Sequence, residues 1–419
     1  MKKTLTTLVV VLLPFVMSVS SYGAGFALYE YSAKGTAMGG ATVANGAEAA
    51  SLGNNPALIT ELEGTQIQVG MTAVMADATT TVAGQSRSLK DKTFLLPNFF
   101  VTHKWSDDIT LGLGGFSRYG LGGEYNDPIE TWAGSNLAYK VNLETFSFTP
   151  TIAIKANDEL SIAMGLEAMV IGFSQNSFFN ANPAIAGAYE VSGSGVNWGG
   201  NFSLLYKPEW AEKWAFGAMY RTKVKSTLNG RLHSDRDYTS LTGGQLNIHS
   251  GDAEGSITLP DSITAGLSFQ PTENWTMEAG IVGTFWSSYD QILIQYTGTE
   301  STPFINNQKK YKDTYRLNFG TEYKLNKNWA VRAGYVYDKS PINEKEMDTL
   351  VPVDDRHIAS IGAGYSQDRW TLDVYYAHIF AQDLSGTSAQ LGKSTGTPVP
   401  MKYTDGKSEM FGFTFGYKF

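Results

Sequence analysis

The chain has 419 residues, no cysteine, and 40 acidic against 32 basic residues, for a formal net charge of −8. That balance, with no basic block anywhere, argues against nucleic acid as a partner, because phosphate binding relies on clustered Lys and Arg. Without cysteine there is no disulfide framework, thiolate nucleophile or thiolate metal site, while 13% aromatic residues and 44 glycines suit many short, curved strands.

Lys2 and Lys3 precede an apolar run from Leu5 to Val19, interrupted by Pro14 and followed by the small residues Ser20, Ser21, Gly23 and Ala24. This is the order of a secretory signal, so residues 1–23 read as a signal peptide with cleavage after Gly23. No later stretch is long and apolar enough for a membrane-spanning helix, and lipid then leaves only a closed barrel.

Residues 24–62 are rich in Ala and Gly and lack strand alternation. They read as an N-terminal hatch, a plug folded back into the lumen of a barrel formed by residues 63–419.

From about Gly64, segments of alternating polarity recur, separated by short and long connections in turn. The short ones lie at 106–108, 156–158, 207–213, 270–274, 326–328 and 367–369 and are rich in Asn, Asp and Pro, residues that turn readily. Six such turns pair twelve strands, and one more strand at each end makes fourteen, an even count as bacterial barrels require. The long connections, at 77–94, 119–139, 174–194, 229–256, 297–310, 340–355 and 384–404, would be the extracellular loops. The fold class is therefore all-β, a 14-stranded antiparallel transmembrane barrel with an N-terminal hatch.

Two further patterns support that register. Trp105, Trp214, Trp275, Trp329 and Trp370 each sit beside a short turn, as an interfacial aromatic belt would. Charges also avoid the aromatic parity, as expected when a Lys or Arg facing mid-bilayer lipid costs about 2 to 4 kcal/mol. Tyr315, Leu317, Phe319 and Tyr323 alternate with Arg316, Asn318, Glu322 and Lys324; Trp329, Val331 and Tyr335 with Arg332 and Asp338; Trp214, Phe216 and Tyr220 with Arg221 and Lys223. The last strand carries the ladder Phe411, Phe413, Phe415, Tyr417, Phe419. A soluble β-sandwich would alternate too, but it needs neither paired short and long connections nor a Trp rim.

Several stretches resemble the FadL-type outer-membrane transporters of long-chain fatty acids and other hydrophobic compounds. They are the mature start Ala24-Gly25-Phe26 with Glu30-Tyr31-Ser32, the Asn55-Pro56-Ala57 triplet, the run Leu111-Gly112-Leu113-Gly114 to Tyr119-Gly120-Leu121, and the Phe-terminated last strand. The resemblance covers essentially the whole mature chain. It implies a monomer in the bacterial outer membrane that takes up hydrophobic small molecules passively, most readily long-chain fatty acids, with aromatic hydrocarbons as the alternative within the family. The implied route runs from an apolar groove among the outer loops, to a pocket near the hatch N-terminus, and out sideways where the third strand kinks. Phe419 is the expected handle for the barrel-assembly machinery, and membrane lipid the expected surroundings.

An oily ligand cannot profit from a hydrated pore and needs an apolar path. Leu121, Ile129, Trp132 and Leu137 in the second long connection, with Phe178, Phe179 and Ile185 in the third, are candidates for the groove or for packing loop against loop. Phe26, Leu28 and Tyr29, with Asn55, Pro56 and Ala57, are candidates for the hatch pocket or for plug packing. Gly112, Gly114 and Gly115 would permit a wall kink or serve general curvature. Arg221, Lys223, Arg316 and Arg332 could hold a carboxylate, or pair with lumen acids such as Glu322 and Asp338. A fatty acid needs such a cation and a hydrocarbon does not.

Rival functions are a general diffusion porin, which expects an open lumen, and an outer-membrane hydrolase. The five histidines, His103, His233, His249, His357 and His378, are scattered without metal-ligand spacing, and no Ser, His and acid constellation is visible. No enzyme activity, catalytic residue, metal or cofactor is expected.

Overall fold

A computed structural model describes residues 25–180, 182–243, 248–297, 305–393 and 395–419. The signal-peptide reading, with its cleavage point at Gly23, lies outside the described residues. The wall is a closed ring of 14 antiparallel strands built from one continuous sheet.

In chain order the strands are Thr65–Val82, Thr93–Lys104, a third in two pieces (Ile109–Phe116 and Gly120–Glu124), Lys140–Lys155, Leu160–Phe179 and Gly187–Tyr206. The seventh to tenth are also each in two pieces: Trp214–Arg221 with Val224–Ser234, Gly251–Leu259 with Ser262–Thr272, Trp275–Thr284 with Gln291–Tyr296, and Ile305–Gln308 with Thr314–Lys324. Trp329–Asp338, Arg356–Gln367, Trp370–Ala381 and Val399–Lys418 complete the ring. Closure comes from the last strand pairing with the first, Gln66 opposite Lys418 through to Val82 opposite Met401. The aromatic ladder is thus the closing seam, and the Phe419 amide donates to the Thr65 carbonyl at 2.9 Å.

The parity expected from the sequence places lipid outside and charge inside. Tyr315, Phe319, Tyr323, Trp329, Val331, Tyr335, Trp214, Phe216 and Tyr220 are exposed, while Arg316, Asn318, Glu322, Arg332, Asp338 and Arg221 are buried toward the lumen. Trp105, Trp214, Trp275 and Trp329 are exposed beside their short turns, as a girdle requires.

Lys223 departs from this pattern. The seventh strand breaks at residues 222–223, and beyond the break Val224 and Ser226 face inward while Lys223 and Lys225 are exposed. One irregularity exchanges the two faces because the side-chain period of a strand is two, so Lys223 is not a lumen cation. Pairing with the sixth strand also lapses here: Asn201 opposes Arg221 and Ser194 opposes Asn229, with no ladder between.

The outer connections are shorter than expected, because the strands run on above the membrane. The fifth strand reaches Phe179 and the sixth starts at Gly187, leaving only 180–186 between them. Above the hydrocarbon layer neither face meets lipid, so polarity stops alternating although the backbone ladder continues.

Residues 25–62 pack inside the ring as short helical pieces rather than strands. Ser32 caps α1 (Ala33–Ala37), its Oγ accepting from the Gly35 amide at 2.9 Å; α2 (Ser51–Asn54) follows, then a 3-10 turn, Pro56–Glu61, capped by Asn55 Oδ1 accepting from the Ala57 amide at 3.0 Å. The α1 helix lies against the last four strands, and the 3-10 turn against the third to sixth. Gly39, at φ +65°, lies so close to the wall that a Cβ on Gly334 would stand 2.2 Å from the Gly39 nitrogen, which only glycine permits.

If the exposed aromatic face is the lipid face, Phe319→Lys lowers folding stability by about 2–4 kcal/mol, read from denaturant titration in lipid bilayers. An unchanged stability would show that this face does not meet hydrocarbon.

Candidate functional site

The third strand is where the wall fails. Phe116 opposes Ser147 and Gly120 opposes Glu144 on the fourth strand, so three residues, 117–119, face two, a β-bulge. On the other side, ladder pairing with the second strand stops at Phe99 opposite Gly115. Higher up the wall closes again, with Leu89 bridged to Tyr125 and the Lys90 amide donating to the Glu124 carbonyl at 2.7 Å. Between these points residues 93–98 of the second strand have no ladder partner on the third. The gap is about 20 Å long at the usual strand rise.

The glycines expected to kink the wall are not where it breaks. Gly112, Gly114 and Gly115 sit in regular ladder opposite Thr102, Phe100 and Phe99. Their role is close approach: a Cβ on Gly112 would stand 2.6 Å from Leu52 of the plug, and one on Gly115 would stand 2.1 Å from the Phe99 ring. The break falls at Ser117, Arg118 and Tyr119 instead.

Into that break comes the tip of the N-terminal segment. The Leu28 amide donates to the Arg118 carbonyl at 2.7 Å, and the Gly120 amide donates to the Phe26 carbonyl at 2.9 Å, with Ala27 bridged to Tyr119. Residues 26–28 thus supply a two-bond stub of the missing strand. Phe26 is fully buried in an aromatic cage, 4.8 Å from the Trp286 ring, 5.1 Å from Tyr289 and 5.9 Å from Tyr119. Leu28 packs with Phe94 and Leu96 of the unpaired stretch, behind the gap. Tyr29 lies 4.4 Å from the Arg316 guanidinium, a cation–π contact.

The rest of the segment is held by polar links to the wall. The Ala33 amide donates to Thr414 Oγ1, Ser360 Oγ donates to the Ala37 carbonyl, the amides of Val43 and Ala44 donate to Glu278, and the Ala50 amide donates to Gln68. Asn55, Pro56 and Ala57 belong to this anchor rather than to the pocket. The Asn55 amide nitrogen donates to the carbonyls of Val43 at 2.7 Å and Leu204 at 2.9 Å, and the triplet is buried among Leu58, Ile59 and wall residues.

Inside the tip lies a cavity of about 40 Å³ lined by Leu28, Tyr29, Tyr31, Arg118, Arg221 and others. Burial pushes the Tyr31 hydroxyl up to about 12, against the pull of Arg221 and Arg118, so it stays neutral and donates to the Leu28 carbonyl at 2.9 Å. Arg118 is a residue that sequence reasoning missed. It pairs with the fully buried Glu167 at 2.8 Å, and Arg221 approaches the same carboxylate oxygen at 3.6 Å. The signal was Glu167 itself, a single acid within the apolar run Leu166 to Ile171, which demands a cation.

The other cation candidates are more fully paired. Arg332 bridges Glu322 and Asp373, both at 2.6 Å, and Arg316 shares Asp338 with Arg356. Below the plug a cavity of about 770 Å³, lined by Lys34, Glu48, Lys324, Arg332, Arg369 and others, opens among the short turns. Burial raises the Glu48 carboxyl above its usual range, opposed by Lys34. This side of the plug is rich in charge, with Lys34, Glu48, Glu322, Lys324, Arg332, Arg369 and Asp373 around the cavity.

The loop candidates divide into two groups. Leu121, Trp132 and Leu137 join the cluster around Phe26, whereas Phe179 and Ile185 pack against a separate one of Leu232, Tyr238, Ile248 and Tyr296. Trp132 is fully buried against Tyr125 and donates its indole N–H to the Gln85 carbonyl at 3.1 Å. Ile129 is buried and Phe178 half-buried, so the seven do not form one exposed groove. Between the cage and the loops lies a small apolar recess lined by Phe173, Val191, Leu228, Ile257, Ile292 and Ile294.

The family described as outer membrane protein transport protein (OMPP1/FadL/TodX) matches residues 15–419. The chain is 25% identical over 442 residues to a long-chain fatty acid transport protein of Salmonella typhi and 26% identical over 447 residues to that of Escherichia coli K12, covering 96% of both chains in each case. Among solved structures, a Pseudomonas aeruginosa FadL homologue superposes with TM-score 0.85 at 19% identity, covering 94% of this chain and 100% of that one. The toluene transporter TodX of P. putida superposes with TM-score 0.67 at 17% identity, covering 95% and 99%. These two likenesses speak to the fold.

The geometry divides the plug into a tip held by apolar contacts and two wall bonds, and a body fixed by polar links. Phe26→Ala therefore lowers the opening free energy of the tip by about 3 kcal/mol, seen as faster hydrogen exchange at the Leu28 amide with exchange at Val43 unchanged. Equal acceleration at both would show that tip and body open as one.

Proposed function

The chain belongs to the OMPP1/FadL/TodX family of outer membrane transport proteins, and from that premise we propose that it takes up long-chain fatty acids passively, by displacement of the tip at residues 25–31 and exit through the gap between the second and third strands. The observation that carries this reading is the occupation of the gap by Phe26, Ala27 and Leu28. A wall opening in lipid leaves peptide groups without partners, and here the partner is a segment with few other polar ties that the expected cleavage after Gly23 would leave at a chain end. Terminal segments held this way are the cheapest to displace.

The direction of exit follows from polarity. Above the plug are the aromatic cage and the apolar recess; beneath it is the charged cavity. An acyl chain gains roughly 0.8 kcal/mol for each methylene kept from water, so the favourable path from the cage runs sideways into the bilayer rather than down. No energy source is needed when the ligand moves from one apolar environment to another.

Fatty acids are preferred to aromatic hydrocarbons as the cargo because the proteins named for fatty acid transport are similar along nearly the whole sequence. The hydrocarbon channels are alike in fold. A diffusion porin is disfavoured by a lumen filled by residues 33–62.

The bridge between Ala27 and Tyr119 gives the test. It is flanked by two hydrogen bonds and is itself a non-bonded antiparallel pair, a geometry within reach of a disulfide. With no native cysteine, the double variant Ala27→Cys with Tyr119→Cys would carry one cross-link. Fatty acid uptake by cells is expected to fall to background when the pair is oxidised and to return on reduction. Undiminished uptake with the cross-link formed overturns the gate, and a large steady ion conductance of the unmodified protein in planar bilayers would favour the porin.

A further inference from the structure

We propose that the cavity among the short turns is a binding site for a small, water-soluble anion of several charges, a polycarboxylate or an oligophosphate, taken from the periplasmic side and separate from the path of the oily cargo.

Charge left over at the cavity mouth is the first observation. Six basic and three acidic side chains line this cavity, in a chain whose formal net charge is −8. The deep charges satisfy one another. Arg332 lies between Glu322 and Asp373, while Lys34 donates to the Gly46 carbonyl at 3.1 Å and stands 4.0 Å from Glu322. Glu48 accepts from Ser32 Oγ at 2.5 Å and from the Gln68 side-chain nitrogen at 2.8 Å. The surplus sits on the rim, where Lys324, Lys327, Arg369 and Lys418 are exposed and form no ion pair among the described residues. Short turns on the other half of the ring carry Asp107, Asp108, Glu159, Glu209, Glu212 and Glu273, so the basic patch is local to the mouth.

The rim is also held in place. Lys324 and Lys418 share the lumen parity of the buried Glu322 and Thr414, so they stand at the mouth rather than on the lipid face. Turn is tied to turn: the Asn328 side-chain nitrogen donates to the Ser366 carbonyl at 2.6 Å, and the Lys418 amide donates to the Arg369 carbonyl at 2.7 Å. Like charges gathered at one opening repel, and an anion between them relieves the repulsion. A single exposed pair contributes little, but several cations converging on one anion act together through charge-assisted hydrogen bonds.

Size and access define the ligand. A volume of about 770 Å³ suits a small molecule, for which sites span about 300–1,000 Å³. The short turns of an outer-membrane barrel face the periplasm, so the ligand is a solute of that compartment. Bound there, it reaches Lys34 of the plug as well as the rim of the wall, and it holds the plug body to the ring on the side away from the tip.

The test titrates the full-length protein, in nanodiscs of zwitterionic lipid at low ionic strength, with inorganic triphosphate, citrate and acetate. Triphosphate and citrate are expected to bind roughly tenfold or more tightly than acetate, and the double variant Lys324→Gln with Lys418→Gln to lose at least that factor. Lys223→Gln with Lys225→Gln removes the same charge from an exposed part of the wall and should bind as the unmodified protein does. Hydrogen exchange at the Gly46 amide should slow when triphosphate or citrate is added, with exchange at Leu28 unchanged. A preference for only one of the two anions assigns the site to phosphates or to carboxylates. Failure of both to outbind acetate, equal losses in the two double variants, or binding with no slowing at Gly46 would each overturn the site, and none of these results bears on fatty acid uptake.

Discussion

Lipid offers no hydrogen bonds, and that constraint organises this molecule. Each wall strand must find partners on both edges, which is why the chain closes its last strand on its first along sixteen registered pairs rather than leaving two edges free. The same rule makes the interruption at residues 117–119 significant. A bulge costs ladder pairing, and within a bilayer the lost partners cannot be water. Here the N-terminal segment supplies two of them on the third strand, at Leu28 and Gly120, and meets the second strand through the packing of Leu28 on Phe94 and Leu96.

The plug's body and tip differ in the kind of contact that holds them, and this follows from their sequences. Residues 33–62 offer small side chains and bare amides to wall residues such as Thr414, Ser360, Glu278, Gln68 and Ser203, a distribution of neutral and charge-assisted hydrogen bonds around the lumen. Breaking any one leaves the others in place. Residues 26–28 offer an aromatic ring and a leucine to apolar surroundings, which an oily ligand can reproduce. A ligand can shift an equilibrium only by its differential affinity for the two states, and a tip held by apolar contacts is one an apolar ligand can replace.

Much of this architecture was legible in the sequence, because lipid imposes a strict rule on outward residues. Tyr315, Phe319, Arg316 and Arg332 could be assigned a face from alternation alone. The rule lapses wherever the backbone departs from a period of two. Lys223 was misassigned because the strand breaks at residues 222–223 and the faces exchange there, and nothing in the run Tyr220-Arg221-Thr222-Lys223 announces it. Gly112, Gly114 and Gly115 misled for a related reason: a glycine marks the absence of a side chain, and both a bend and a close neighbour require that. Only the position of Leu52 and Phe99 separates the two. Trp132 could be read as a groove residue or as packing between loops, because a loop's sequence does not say which way the loop folds; it is buried against Tyr125.

Arg118 escaped notice for a different reason. In a glycine-rich stretch ending Ser117-Arg118-Tyr119-Gly120, an arginine reads as a solvated loop residue. Glu167 held the missing information, since a single carboxylate in an apolar strand facing a packed lumen must be paired. Pairing alone would call for one cation, and the fold brings two. The second, Arg221, arrives from the strand next to the seam where pairing with the sixth strand also lapses, so one carboxylate ties together the two weakest places in this side of the wall.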